Sequence, residues 1–246
     1  PEGWKTLGQA LADGDDRDNP AAKHLKNMLM AYVENDPSTF NAELTQYSKL
    51  VQEKMPSKAS KARTEAWFNQ FAPFYICAVL YVFIGVLAIL SWTPVAPREL
   101  WLSALLLLGL TILLHTGALL TRMWIQERPP VVNLYSSAIF IGWGCALVCL
   151  FVELIYRNAI PTAAAAVLGF KTMVIAHYLG GSGDTMEVLQ AVLDTNFWLA
   201  THVTTVTLGY TATFVAGFIA ILFLWWMLTS TVLAFFRNRG NPEWSN

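Results

Sequence analysis

Asp194-Thr-Asn-Phe-Trp-Leu-Ala-Thr-His-Val203 opens a run that stays apolar as far as Phe236. A water-facing loop here becomes a helix well beyond the roughly 20 residues needed to cross a bilayer. That excess length predicts a tilted span, or one that continues past the membrane as a helix. Asp194, Thr195 or Asn196 can cap the helix by accepting hydrogen bonds from its free N–H groups. Trp198 lies one turn before His202 on the same helical face. A ligating nitrogen therefore stands beside a large flat apolar side chain near the membrane boundary. This pair suits a planar metal macrocycle such as haem, which needs an axial ligand and an apolar wall. An interfacial Trp belt with an ordinary His nearby gives the same pattern.

Working outward, four further apolar stretches read as spans at about 71–92, 100–120, 134–156 and 161–179, before the fifth at 197–236. The fold class is all-α: a multi-span membrane helical bundle of about five transmembrane helices, with an N-terminal polar helical hairpin. Residues are 55% hydrophobic and 13% charged, with mean hydropathy +0.43. Soluble domains carry about twice that charged share. Most charges precede Phe71, so residues 1–70 form a polar segment, 71–236 the bundle, and 237–246 a tail or cut end. A net charge of −1 argues against a nucleic-acid partner. The chain starts with Pro and shows no signal-peptide pattern, which predicts a fragment of a longer polypeptide.

In the polar segment, Asn19-Pro20 and Asp36-Pro37-Ser38 each start a helix. Leu25, Met28, Leu29, Tyr32 and Val33 form one apolar stripe; Phe40, Leu44, Tyr47, Leu50, Val51 and Met55 form another. The expectation is a hairpin with two amphipathic faces. His24 falls on its Lys-flanked polar side and reads as a solvated residue. Trp67 and Phe68 read as interfacial anchors.

Polar residues inside spans carry the other candidates. His115 sits in Leu113-Leu-His-Thr-Gly117, and an intramembrane His is either functional or bonded to a neighbouring carbonyl. Lys171 is near the middle of span four, where a bare charge is costly. It can snorkel, pair with Glu153, or meet a lipid or propionate carboxylate. His177, at the end of the same span, can face the compartment of His202. Thr205, Gly209, Thr213 and Gly217 recur every fourth residue and predict a close-packing ridge; a polar conduit is the alternative. Gly142 and Gly144 read as packing residues, as do Cys77, Cys145 and Cys149, which lie in apolar runs.

Arg98, Arg157, Arg237 and Arg239 fall on one side of five spans, whereas the loop before span five carries Asp184, Glu187 and Asp194 without Lys or Arg. That favours a cytoplasmic C-terminus and an outer-facing His202. Arg122, Arg128, Lys58, Lys61 and Arg63 argue the other way.

Two motifs carry a family resemblance. Arg122-Met-Trp-Ile-Gln-Glu-Arg-Pro-Pro-Val-Val-Asn-Leu-Tyr-Ser136 resembles the R-W-x-x-x-x-x-P-x-x-N-L-Y-E loop of the CcsA/ResC cytochrome c biogenesis proteins. The span after it, with Ile139-Phe-Ile-Gly-Trp143, is similar to that family's I-F-I/L-x-W pattern. Val192-Leu-Asp-Thr-Asn-Phe-Trp-Leu-Ala-Thr-His-Val203 resembles V-P-A-L-x-S-x-W-L-x-x-H-V, and Thr207-Leu-Gly-Tyr-Thr-Ala212 resembles the L-x-Y-A-A span. The resemblance covers about residues 100–236. It implies a bacterial inner-membrane protein that receives haem b at its outer, periplasmic face. It also implies a ResB/CcsB-type membrane partner, separate or fused, and transfer of haem to apocytochrome c. His202 takes the position of an external axial ligand to the haem iron, with Trp198 beside it; no residue is implied as an acid–base catalyst. His115, His177 and Lys171 are secondary candidates for the cofactor.

The chain departs from the pattern in places. The tryptophan-rich W-G-x-Y-W-x-W-D-P-K-E-T segment and the external His after it do not occur, and Glu243-Trp244 is not a remnant of them. Ser136 replaces the acid after Leu-Tyr. The resemblance therefore predicts an N-terminal or middle portion holding half of a haem site. A transporter using Lys171, His115 and the Thr-rich face, or a scaffold docking a partner through its hairpin, are the competing readings.

Overall fold

The computed structural model describes residues 6–12, 19–181 and 196–239. The described residues are helical and contain no strand: α1 (Leu7–Ala12), α2 (Pro20–Val33), α3 (Pro37–Lys54), α4 (Pro56–Phe71), α5 (Pro73–Leu90), α6 (Pro97–Gln126), α7 (Leu134–Tyr156), α8 (Ile160–Gly180) and α9 (Asn196–Arg239). The chain separates into two compact units, divided between Phe68 and Asn69.

In the first unit, prolines and polar caps set the helix starts. The Asn19 side chain accepts from the Ala21 N–H at 3.1 Å, and Asp36 accepts from the Ser38 and Thr39 N–H groups at 3.0 and 3.2 Å. Pro20 and Pro37 occupy the first helical positions, where a missing N–H costs nothing. The predicted apolar stripes do not close on each other. Leu29, Tyr32, Val33, Leu44 and Met55 are exposed, and no residue of α3 is buried. Small residues, Ala22 and Ala31, are buried on α2 instead. A polar clasp joins the two helices: the His24 Nδ1 bonds Glu43 Oε2, and Asn27 Nδ2 donates to Glu43 Oε1 at 3.1 Å. The sequence reading of His24 as solvated is corrected: it is half-buried and paired across the hairpin.

Five helical stretches are long and apolar enough to cross a membrane: Pro56–Leu90, Pro97–Gln126, Leu134–Tyr156, Ile160–Gly180 and Phe197–Phe236. In the second unit, α8 packs along α5 and α7 through small residues. An added Cβ at Gly169 would lie 2.7 Å from the Tyr81 ring, and one at Gly142 would strike the Thr172 hydroxyl. Backbones thus approach closely where side chains are minimal. Cys77, Cys145 and Cys149 are free thiols in this core.

α9 lies against α7 through Thr207, Thr211 and Val215, all buried. A Cβ at Gly144 would meet Thr211 Oγ1 at 2.8 Å, so α7 carries a notch for that threonine. The ridge expected at Gly209 and Gly217 is therefore a correction: a Cβ at either meets nothing within 4 Å, and Thr205 and Thr213 are exposed. At 1.5 Å per residue, the 44 residues of α9 extend about 66 Å, twice the hydrocarbon thickness. Past Ile219 its large apolar side chains, among them Trp225, Trp226, Leu233 and Phe236, are exposed.

Candidate functional site

The inward stripe of α9 determines what the start of that helix displays. With Val203, Thr207, Thr211 and Val215 turned toward the bundle, His202 sits about 100° round the helix, and Trp198 one turn before it. Both are exposed, Trp198 at 62%, and Phe197 meets the Trp198 ring edge-on at 5.3 Å between centroids. His202 has no hydrogen-bond or ion-pair partner among the described residues. Its depth follows from the helix register. Thr211 contacts Gly144, near the middle of α7, and His202 precedes Thr211 by nine residues, or about 14 Å. With the middle of α7 at the bilayer centre, that distance matches the half-thickness of the hydrocarbon layer, about 15 Å. The capping positions Asp194 and Thr195 lie outside the described residues.

An imidazole with a free nitrogen, an indole one turn away and an open helix face fit a haem better than a bare metal ion. Among the described residues no three His, Cys, Asp or Glu side chains gather as metal ligands. Haem brings four nitrogen ligands of its own, so one imidazole is a sufficient protein contribution on this side.

The other candidates sit in different surroundings. His115 is fully buried between α5 and α6. Its Nδ1 is 3.3 Å from the Tyr81 hydroxyl, its ring is edge-on to Phe74 at 5.7 Å, and its Nε2 is enclosed without a good hydrogen bond. A macrocycle has no open face of this imidazole to reach. His177 is exposed near the end of α8, against the Tyr178 ring. Lys171 is exposed halfway along α8.

The pairing of Lys171 with Glu153 is not formed. Glu153 is fully buried near the other end of the bundle, with both oxygens engaged. Oε1 accepts from Trp101 Nε1 at 2.8 Å and the Ala159 N–H at 3.0 Å; Oε2 accepts from the Thr162 N–H at 3.0 Å and its hydroxyl at 2.8 Å. The carboxylate thus caps α8, where free N–H groups and the helix dipole favour negative charge. Sequence reading offered Glu153 as one of several partners for Lys171, because a bare charge within a span is costly; backbone donors six and nine residues after Glu153 leave no such signal.

The Arg122–Ser136 motif also acquires a structure. The Arg122 guanidinium lies 4.7 Å from the Tyr135 ring centroid, in cation–π contact. Asn133 accepts from the Ser136 N–H at 2.8 Å, and Ser136 Oγ accepts from the Asn133 N–H at 2.9 Å. This is a capping box, and an acid at the same position would make the same return bond. Trp143 Nε1 donates to Thr116 Oγ1 at 2.8 Å, pinning α7 to α6.

No protein-family model matches the chain. Over 145 residues it is 28% identical to the cytochrome c biogenesis protein CcsA of Prochlorococcus marinus (strain NATL1A), covering 57% of this chain and 44% of that protein. It is 32% identical to the CcsA of Parasynechococcus marenigrum over 120 residues, covering 48% of this chain and 39% of that one. With Protein NrfI of Wolinella succinogenes it shares 29% identity over 182 residues, covering 70% of this chain and 20% of NrfI. The chain thus spans less than half the length of the CcsA relatives it matches.

Proposed function

We propose that this chain, which is of the CcsA type, works in cytochrome c biogenesis by presenting haem b at the outer face of the bacterial inner membrane. The observation that carries the reading is the exposed His202, without a partner among the described residues, with exposed Trp198 one turn before it at the start of α9. His202 would hold the haem iron through an imidazole nitrogen. Trp198 and Phe197 supply the apolar surface that shields one edge of the macrocycle from water. Bound haem contributes vinyl groups, to which the thiols of apocytochrome c add. The chain's own residues position and shield; none serves as an acid–base pair. α9 leaves the His202 face uncovered, so a second ligand and the rest of the cavity come from outside these helices. A ResB/CcsB-type membrane protein, separate or fused, is the partner that fits this arrangement. The acidic 182–195 sequence that precedes His202, and Arg98, Arg157, Arg237 and Arg239 on the other side of the spans, support the outward orientation against Arg122 and Arg128.

Two of the threonines that the transporter reading relies on are engaged within their own helix. Thr207 and Thr211 hydroxyls donate to the Val203 and Thr207 carbonyls of their own helix, at 2.6 and 3.0 Å. Hydroxyls spent in this way do not line a conduit.

The test is complementation. Cells lacking this protein are given the wild-type chain, His202→Ala or His24→Ala, and covalent haem in cytochrome c is measured. His202→Ala is expected to reach normal abundance yet yield no holocytochrome c, and His24→Ala to behave as wild type. Full maturation with His202→Ala would contradict the reading.

A further inference from the structure

Lys171 stands halfway along α8, and its depth is fixed by two contacts. Gly169 packs beneath Tyr81 near the middle of α5, and Thr172 packs on Gly142 of α7. The 21 residues of α8 rise about 32 Å, which matches the hydrocarbon thickness. Lysines near helix ends snorkel to the interface. Lys171 lies nine residues from the nearer end, about 14 Å, farther than its four-carbon stem reaches.

Its ammonium has no hydrogen-bond or ion-pair partner among the described residues, and the side chain is exposed. The chain's acids in α6 and α7 do not serve it. Glu153 is committed to Trp101, Ala159 and Thr162, and Glu99 lies in the first turn of α6, at the same far end. Val167, Val174 and Tyr178 share the face of Lys171, at i−4, i+3 and i+7, and none of them is buried. Among the described residues, the result is an apolar helix face whose one positive charge, halfway along a span, meets no acid. A second copy of this chain placed on that face would set lysine against lysine, which excludes a symmetric pairing.

We propose that this face is the docking surface for a transmembrane helix of another chain, and that the incoming helix carries an Asp or Glu level with Lys171. A carboxylate there neutralises the ammonium where hydrocarbon solvates neither charge. The surrounding Val167, Val174 and Tyr178 supply the apolar contact that sets its register. The inference is independent of the His202 reading, because it rests on the charge and depth of a different helix.

The experiment places a photoreactive benzophenone amino acid at Val167 and irradiates intact membranes. Adducts are then mapped by peptide mass spectrometry. The expected adduct is a membrane-spanning peptide of another chain that contains an Asp or Glu. Lys171→Met, which suits a bilayer and leaves the packing face of α8 untouched, is expected to lower adduct yield several-fold. Changing the partner's acid to its amide should do the same, and exchanging the two charges should restore the yield. Adducts with lipid alone, with haem, within this chain, with a second copy, or with an acid-free span would each overturn the proposal. So would an unchanged yield with Lys171→Met.

Discussion

Glu153 shows how one side chain organises a membrane protein's polar end. Its carboxylate is buried with four hydrogen bonds, two from backbone N–H groups that begin α8. Glu153→Ala leaves those donors without an acceptor in an apolar setting. Hydrogen bonds to a charged group are worth roughly 1.5–3 kcal/mol each, so this substitution is expected to cost more than about 2 kcal/mol. Thermal unfolding in detergent checks it, and an unchanged midpoint would remove Glu153 from its role as cap. At Ser136 the capping box gives a finer test. Ser136→Ala should cost about 1 kcal/mol, because it removes the return bond of the capping box; an unchanged midpoint would contradict that role. In the hairpin, hydrogen bonds from His24 and then Asn27 hold the Glu43 carboxyl below its ordinary value, and the Thr39 hydroxyl does the same for Asp36. A carboxyl lowered in the folded state contributes stability that is complete above its unfolded value and vanishes as pH falls through its folded one. Hydrogen-exchange protection in α2 and α3 is therefore expected to weaken on acidification below the ordinary carboxylate range. His24→Ala should reduce that pH dependence, and a profile identical to wild type would show that the clasp carries none of it.

At the scale of elements, glycines separate packed from open helix faces. Gly169 has the Tyr81 ring where a Cβ would go, so Gly169→Ala should overpack the α5–α8 contact by roughly 1–3 kcal/mol. Gly209→Leu should be tolerated, because nothing stands within 4 Å of that position. Expression and melting in detergent distinguish the two, and equal sensitivity would contradict the observed register of α9. This register is where sequence reading failed, for a physical reason. Residues 205, 209, 213 and 217 (Thr, Gly, Thr, Gly) and residues 207, 211 and 215 (Thr, Thr, Val) both recur every fourth position. Periodicity marks both stripes; the Gly144 notch on α7 selects the second. The helices themselves were legible because apolar length is a one-dimensional property. His24 was not, because its partner Glu43 arrives from another helix. His202 and Trp198 were legible as a pair, since both belong to one turn of one helix and need no tertiary contact to meet.

The whole molecule joins a polar helical unit to a membrane bundle whose last helix is half uncovered. His202 and Trp198 are exposed at the start of α9, and the large apolar side chains past Ile219, among them Trp225, Trp226 and Leu233, are exposed as well. Topology follows from the proposed function. Cysteine introduced by Ser182→Cys should react with an impermeant reagent from outside, and Asn238→Cys should not; the reverse pattern would invert the molecule. The central claim, that His202 ligates haem iron, is tested most directly by the absorption spectrum of the purified full-length protein. The wild type should show the bands of haem with a nitrogen axial ligand. His202→Ala should lose or weaken them at normal protein yield, since Ala maintains the helix, and added imidazole should partly restore them. A wild-type haem spectrum in His202→Ala would contradict the account.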